Sequence, residues 1–382
     1  MRKSIGMIVL GFILITFECD KSLFNEFERT PSTFEKWYDL GGEDFPTGVV
    51  QLSDSSFVIA ASVYAGQSGF LTKLLKIGSF GEIIKIQPIE RFTIKGGMIK
   101  MPNDDIIILG NHRNEGPLLM RFDSSLNLLD KLILDSDHPN VYDVTSSNFG
   151  DFIITGHYVY QQDPIKKATF IAITENFDLS YIDEVVDDVS CMETLITLSS
   201  DRSVTFNAYS FSDAAYCIIN ISMNPITKYN WRNCSFVNII IHALVEARNG
   251  NIVSLGYSQN LDSPGITLHE LDLEGNIVKT KVYRLSFRDG YLLDITPSHD
   301  GGFIAVGGSS ANADGDLVIS EIKENFDLGW IKRYGGVLNE VGRAVIPTFD
   351  GGYLIISTSN SFGNGDEDIY VVKTDKHGVI DD

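Results

Sequence analysis

The chain has 382 residues, 43% of them hydrophobic, with 30 basic and 51 acidic side chains and a formal net charge of −21. That balance repels phosphate backbones and anionic headgroups, so neither nucleic acid nor a lipid surface suits a broad face of the protein. The length allows either two average domains or one large closed β-architecture.

At the N-terminus, Arg2 and Lys3 precede an apolar run from Ile5 to Phe17. Thirteen residues are too few to span a bilayer and suit the core of a signal peptide, so residues 1–18 are read as an export signal. Residues 19–33 are polar, lack a β pattern and read as a tether. "FEC" followed by "DKS" is similar to the export signals of Bacteroidetes-type lipoproteins. The resemblance implies acylation of Cys19, a location at the bacterial cell envelope, and membrane contact through the N-terminal lipid only. Glu18 departs from the small residue that such signals carry before the cysteine.

From residue 34 onward the chain repeats. "LSDSSFVIAAS", "MPNDDIIILGN", "SSNFGDFIITGH", "LSSDRSVTFNAY", "EARNGNIVSLGY", "DGGFIAVGG" and "DGGYLIIST" are seven versions of one phrase, a tight turn feeding an apolar β-run. The runs begin near Phe57, Ile106, Phe152, Val204, Ile252, Phe303 and Tyr353, at intervals of 46 to 52 residues. Each unit holds a second run and turn, as in "ITLHELDLEGNIV" and "LVISEIKENFDLGW". A further run before and after makes four short strands, a to d, per repeat. That is the blade pattern of a β-propeller. With no helical periodicity and no linker, residues 34–382 are predicted to be one all-β domain, a seven-bladed β-propeller of four-stranded blades.

The seventh unit stops after its third strand, at "HGVIDD", and the missing strand stands at the other end of the chain as "FEKWYDLGG", residues 34–42. The N-terminal strand is therefore expected to close the last blade, leaving no open sheet edges. Gly41, Gly42 and Gly48 match Gly335, Gly336 and Gly342 in spacing. Trp330 lies five residues before its Gly-Gly pair and Trp37 four, so a slip or bulge is expected there.

"WIKRYGG", "DGGYLIISTSNS" and "GDEDIYVVKTDKHG" resemble the repeat of Bacteroidetes-type exported lipoproteins with β-propeller-like units, clearly over residues 288–382. The resemblance implies an exported repeat scaffold and brings no catalytic residues with it.

In a propeller the b–c and d–a loops share the funnel face. Asn312-x-Asp314-x-Asp316 and Asn364-x-Asp366-x-Asp368 fall there in adjacent blades, 52 residues apart. Oxygen ligands spaced two apart can converge on Ca²⁺, and the same residues can equally cap turns. Cys217 and Cys234 flank the turn near Asn224-Pro225, so a cross-strand disulfide and a pair of free buried thiols are both open. No Gly-x-Ser-x-Gly, His-Glu-x-x-His, Cys-x-x-Cys or phosphate loop occurs, and catalytic residues stay unknown. The reading is a monomeric binding or protein-interaction scaffold with a protein or glycan ligand on the funnel face and no cofactor beyond that Ca²⁺. The alternative is a surface carbohydrate-active enzyme, a glycosidase or lyase, assembling carboxylates from several blades.

Overall fold

The computed structural model describes residues 32–381, except 65, 67–68, 135–139, 147–151, 159–166, 175–178, 187–188, 192–196, 199–202, 211, 223–228, 260–264, 284–289, 310–314 and 364–366. The export signal and Cys19 lie outside the described residues. Every regular element among the described residues is a β-strand.

Strand β1 (Phe34–Tyr38) comes first in the chain and belongs to the last sheet. The first sheet is β2 (Glu43–Gln51), β3 (Phe57–Tyr64), β4 (Phe70–Ile77) and β5 (Ile83–Ile89). The second is β6 (Phe92–Lys100), β7 (Ile106–His112), β8 (Gly116–Phe122) and β9 (Leu128–Ile133). The third is β10 (Asn140–Ser146), β11 (Phe152–Tyr158), β12 (Lys167–Ile173) and β13 (Leu179–Val186). In the fourth the first strand is split into β14 (Val189–Cys191) and β15 (Thr197–Leu198), both paired with β16 (Ser203–Ser210), followed by β17 (Ala215–Ser222) and β18 (Tyr229–Phe236). The fifth is β19 (Ile239–Glu246), β20 (Ile252–Ser258), β21 (Gly265–Leu271) and β22 (Ile277–Tyr283). The sixth is β23 (Tyr291–Pro297), β24 (Phe303–Gly308), β25 (Leu317–Ile322) and β26 (Leu328–Tyr334). The seventh is β27 (Glu340–Pro347), β28 (Tyr353–Ser359) and β29 (Asp368–Thr374), completed by β1. All pairings within these sheets are antiparallel.

The first strands of successive sheets pack against one another in the order β2, β6, β10, β15, β19, β23, β27, and β27 packs against β2. The circuit of contacts is closed. The core consequently lies between sheets: Phe57, Ile59 and Leu75 of the first sheet share one cluster with Leu354, Ile356 and Val371 of the seventh and with Phe34 and Tyr38 of β1. This explains which strands were legible. Second strands such as β3 and β28 are buried on both faces and open on runs of at least four apolar residues, whereas outer strands such as β5 and β22 alternate in burial.

Six of the first strands carry a register shift at one place, between Pro46 and Gly48, Ile94 and Met98, Val141 and Asp143, Ile241 and Ala243, Leu292 and Asp294, and Gly342 and Ala344. A bulge of this kind bends the strand and increases its twist. It also aligns Gly48 with Ala344 rather than with Gly342, so the matching Gly-Gly spacing does not reflect equal positions in the two strands.

The expected equivalence of Trp37 and Trp330 is corrected in the same way. Trp330 lies over Gly378, and Trp231 lies over Gly275, both glycines at positive φ in the turn of the next sheet. Over the corresponding Gly81 stand the Phe34 ring and the stem of Lys36, not Trp37. Any side chain at these three glycines would meet the ring within about 3 Å. The linker after β1 carries Asp39 and Leu40 before its Gly-Gly pair, while Gly335 follows Tyr334 directly, and that extra length displaces the count.

Cys217 and Cys234 are joined, Sγ to Sγ at 2.08 Å, where the β17–β18 ladder shifts register between Tyr216 and Ile218. Of the two states left open for these cysteines, the thiols are therefore not free. Ser32 and Thr33, at the end of the stretch read as a tether, are held by the fold: Ser32 N donates to Asp350 Oδ2 at 3.2 Å, and Asp381 N donates to Thr33 Oγ1 at 2.9 Å.

Candidate functional site

The two ends of the sheets are built differently. At one end lie the tight turns, including the Asp-Gly-Gly phrases. Asp350 Oδ1 accepts from the Thr348 hydroxyl at 2.6 Å, from Gly352 N at 3.2 Å and from the fully buried Lys373 ammonium at 3.0 Å. In the first sheet Asp54 and Lys76 repeat this pair at 3.3 Å. The Asp of the phrase thus fastens its turn to the third strand of its own sheet. Ser298, in "SHDGG", accepts from Gly302 N at 3.0 Å in the same kind of turn. Neighbouring turns are also tied together, Ser53 N to Asp104 at 3.1 Å and Phe349 N to Gln51 Oε1 at 2.9 Å, the second bond crossing from the seventh sheet to the first.

The opposite end carries the longer connections. There the segment entering a sheet is stitched to the loop between second and third strands. Within a sheet these bonds are Arg113 N to Arg91 O at 2.8 Å, Gln259 N to Asn238 O at 2.7 Å and Asn360 N to Asn339 O at 3.0 Å. Between sheets they are Glu340 N to Gly315 O and Asp44 N to Glu367 O, both at 2.6 Å. This loop end is the face that the sequence reading assigned to the funnel.

Aromatic side chains form two groups on that face, one in the seventh sheet and one in the first. Trp37, 52% exposed, stacks on Phe362 with centroids 5.2 Å apart. Tyr64 and Phe70, both exposed, lie 5.1 Å apart, and Phe45 is 6.2 Å from Phe70. Val337 and Leu338 are exposed in the connection entering the seventh sheet, Leu338 N donating to Ser361 Oγ, next to Phe362, at 2.8 Å. Flat, half-exposed rings on a rigid frame offer stacking area at small entropic cost, the usual makings of a recognition surface.

Beneath this surface three carboxylates converge. Asp39 follows β1, Asp44 is the second residue of β2, and Asp368 opens β29; one oxygen from each lies within 4.8 Å of the others. Asp44 is 0% exposed, and its Oδ2 accepts from Leu40 N while its Oδ1 has no hydrogen-bond partner. Glu340 shows why. Both residues stand two positions before the register shift of their strands, but Glu340 faces Ser359, whose hydroxyl donates to Oε1 at 2.6 Å, and Gly336 N donates to Oε2 at 3.0 Å. Asp44 faces Val63, which has nothing to donate. Burial pushes the Asp44 carboxyl up to about 7; the Leu40 amide opposes the rise, Asp368 and Asp39 add to it, and Lys73 opposes it. Lys73 Nζ donates to Leu40 O.

Of the six residues proposed for Ca²⁺, Asn312, Asp314, Asn364 and Asp366 lie outside the described residues. Asp316 is half-buried, its amide donating to Ser309 Oγ at 2.8 Å. Asp368 is buried and is brought to Asp39 and Asp44, which the sequence reading had not selected. The available signal was closure of the last sheet by residues 34–42, which brings the segment entering β2 to the start of β29. One other cluster of the described residues, Asp213 with Cys217 and Cys234, is not a ligand set. Its sulfurs form the disulfide and Asp213 binds Arg232 at 2.7 Å.

No family model matches the chain, and no curated protein matches it in sequence. Solved structures do. A protein of unknown function from Dyadobacter fermentans is similar at 10% identity and TM-score 0.53, over 90% of this chain and 99% of its own. Polysaccharide lyase Uly1 is similar at 10% identity and TM-score 0.55, over 89% and 91%. YCF48 bound to D1 peptide is similar at 10% identity and TM-score 0.55, over 88% and 96%. The chain has a β-propeller-like all-β fold. At such identities the likeness extends to the fold alone.

Proposed function

We propose that the chain is an exported, lipid-anchored, seven-bladed β-propeller that acts as a binding or protein-interaction scaffold at the bacterial envelope and takes its ligand on the loop face. The observation that carries this is the contrast between the two faces. The turn face exposes Phe80 and Phe349 on short turns fastened by buried and half-buried ion pairs and hydrogen bonds, while the longer connections of the loop face carry grouped rings, Trp37 on Phe362 and Phe70 beside Tyr64 and Phe45. Loops held rigidly by sheets are where recognition resides on such frames. The signal-like residues 1–18 and Cys19 support export and anchoring, and a disulfide between Cys217 and Cys234 suits an oxidising compartment.

The test is site-specific photo-crosslinking in intact cells. A crosslinker replacing Phe70 or Val337 on the loop face should give a discrete adduct, and one replacing Phe80 or Phe349, exposed on the turn face, should not. Adducts from the turn-face positions alone would overturn the assignment.

A further inference from the structure

The carboxylate cluster at the junction of the chain ends goes beyond the binding surface and stands independently of it. Three observations converge there. Asp44 is wholly buried with an unpartnered Oδ1, an arrangement that costs stability unless something donates to or coordinates that oxygen. Asp39, Asp44 and Asp368 each place one carboxylate oxygen within 4.8 Å of the others, and Asp368 is itself 1% exposed. Gly363, at φ +87°, leaves room for the Asp368 carboxylate: a Cβ there would come within 1.7 Å of Oδ2. Lys73 is a cation that acts on Asp44. An all-carboxylate set suits Ca²⁺, which takes protein oxygen ligands in flexible geometry, whereas Mg²⁺ demands near-ideal octahedral geometry and gives up its water reluctantly.

We propose that Asp39, Asp44 and Asp368 form a Ca²⁺ site that fastens the N-terminal segment to the start of the last strand and so locks the ring of sheets. Asp39 and Asp44 come from the two ends of the linker between β1 and β2, and Asp368 from β29, the strand on which β1 pairs. A bound ion would hold all three elements, as the Ser359 hydroxyl and the Gly336 amide hold Glu340 at the equivalent point.

The experiment uses the chain from Cys19 onward, with Ca²⁺ and Mg²⁺ compared at about 10 mM and matched ionic strength. Weak extracellular-type affinity predicts a Ca²⁺-specific rise in Tm of about 2–4 °C. Asp39→Asn, at an exposed position, and Asp44→Asn should each abolish the Ca²⁺ preference while keeping the common salt response. Asp44→Asn should in addition raise Tm without Ca²⁺, because an amide removes the buried repulsion. Tb³⁺ luminescence sensitised through Trp37, two residues from Asp39, should appear in the parent chain, be displaced by Ca²⁺ and be absent from both variants. Equal shifts with the two ions, or a Ca²⁺ preference that survives Asp39→Asn, overturns the proposal. If Asp44→Asn does not fold, the Asp39→Asn result decides alone.

Discussion

Tyr38 donates its hydroxyl to the carbonyl of Gly81 at 2.7 Å, linking the first strand of the chain to the outer turn of the first sheet. Tyr283 makes the same bond to Phe326 at 2.6 Å and Tyr334 to Gly378 at 2.5 Å, each from the last strand of one sheet to the outer turn of the next. The junction between the chain ends is therefore built to the pattern of interior junctions. β1 pairs with β29 from Phe34 opposite Lys373 to Tyr38 opposite Ile369 and buries Phe34, Tyr38 and Leu40.

Removing that strand should open the ring. A chain beginning at Glu43 is expected to melt at a lower temperature and to aggregate, since β29 gains a free edge and the apolar cluster between first and seventh sheets loses three side chains. Tyr38→Phe isolates the hydroxyl and should lose about 1 kcal/mol. Thermal unfolding followed by light scattering reads both; an unchanged Tm in the truncated chain would falsify closure by β1.

The two aspartate–lysine pairs of the turn face should differ in worth. Lys373 is fully buried and the Asp350 side chain is 19% exposed, so Lys373→Met leaves a half-paired carboxylate and should cost about 3 kcal/mol. The side chain of Asp54 is 58% exposed, and Lys76→Met should cost less than about 1 kcal/mol. Burial pushes the Asp350 carboxyl up, but the Thr348 hydroxyl and Lys373 outweigh it and hold it below the usual carboxylate range. Its contribution is thus present above the ordinary Asp pKa and lost as pH falls through the lower folded value. Urea midpoints of the two variants between pH 3 and 7 check the order; equal losses would contradict it.

His269 sets a second acid limit. It is 6% exposed, edge-on to Phe236 with centroids 5.1 Å apart, and burial pushes its imidazole down to about 4. The unfolded chain takes up this proton near 6.5, so stability is whole above that pH and falls until about 4, by roughly 3 kcal/mol. His269→Phe should flatten the profile over that window. A parallel profile in the variant would remove His269 from the account.

The Cys217–Cys234 bond closes a loop with a sequence separation of 17 residues, which constrains the unfolded chain by about 3 kcal/mol. Replacing both cysteines with serine should lower Tm, as should reduction of the parent protein. If the reductant leaves Tm unmoved and both thiols alkylate in the native state, the bridge is not formed in solution.

For the anchor, the parent chain expressed in cells should incorporate a fatty-acid probe and fractionate with membranes. Cys19→Ala should do neither. Labelling that persists in the variant would exclude lipidation at this residue.

Strand content, repeat interval and the use of an N-terminal strand to finish the last sheet were all legible in the residues. Second strands buried on both faces are dominated by apolar residues, tight turns favour glycine and aspartate, and both signals are local. Phe57, Ile106, Phe152, Ile252, Phe303 and Tyr353 open their strands as read, and Ser203 opens β16 one residue before the expected Val204. What tertiary structure alone decided is the equivalence of positions across junctions. Trp37 resembles Trp330 in sequence, yet Phe34 covers the glycine, because the linker length and the bulges set the register and neither is written in residue type. The split of the fourth sheet's first strand into β14 and β15 was equally hidden. The cluster of Asp39, Asp44 and Asp368 is the clearest case. Each is an ordinary loop or strand-end acid by itself, and only closure of the ring brings residues from opposite ends of the chain close enough for one charge to act on another.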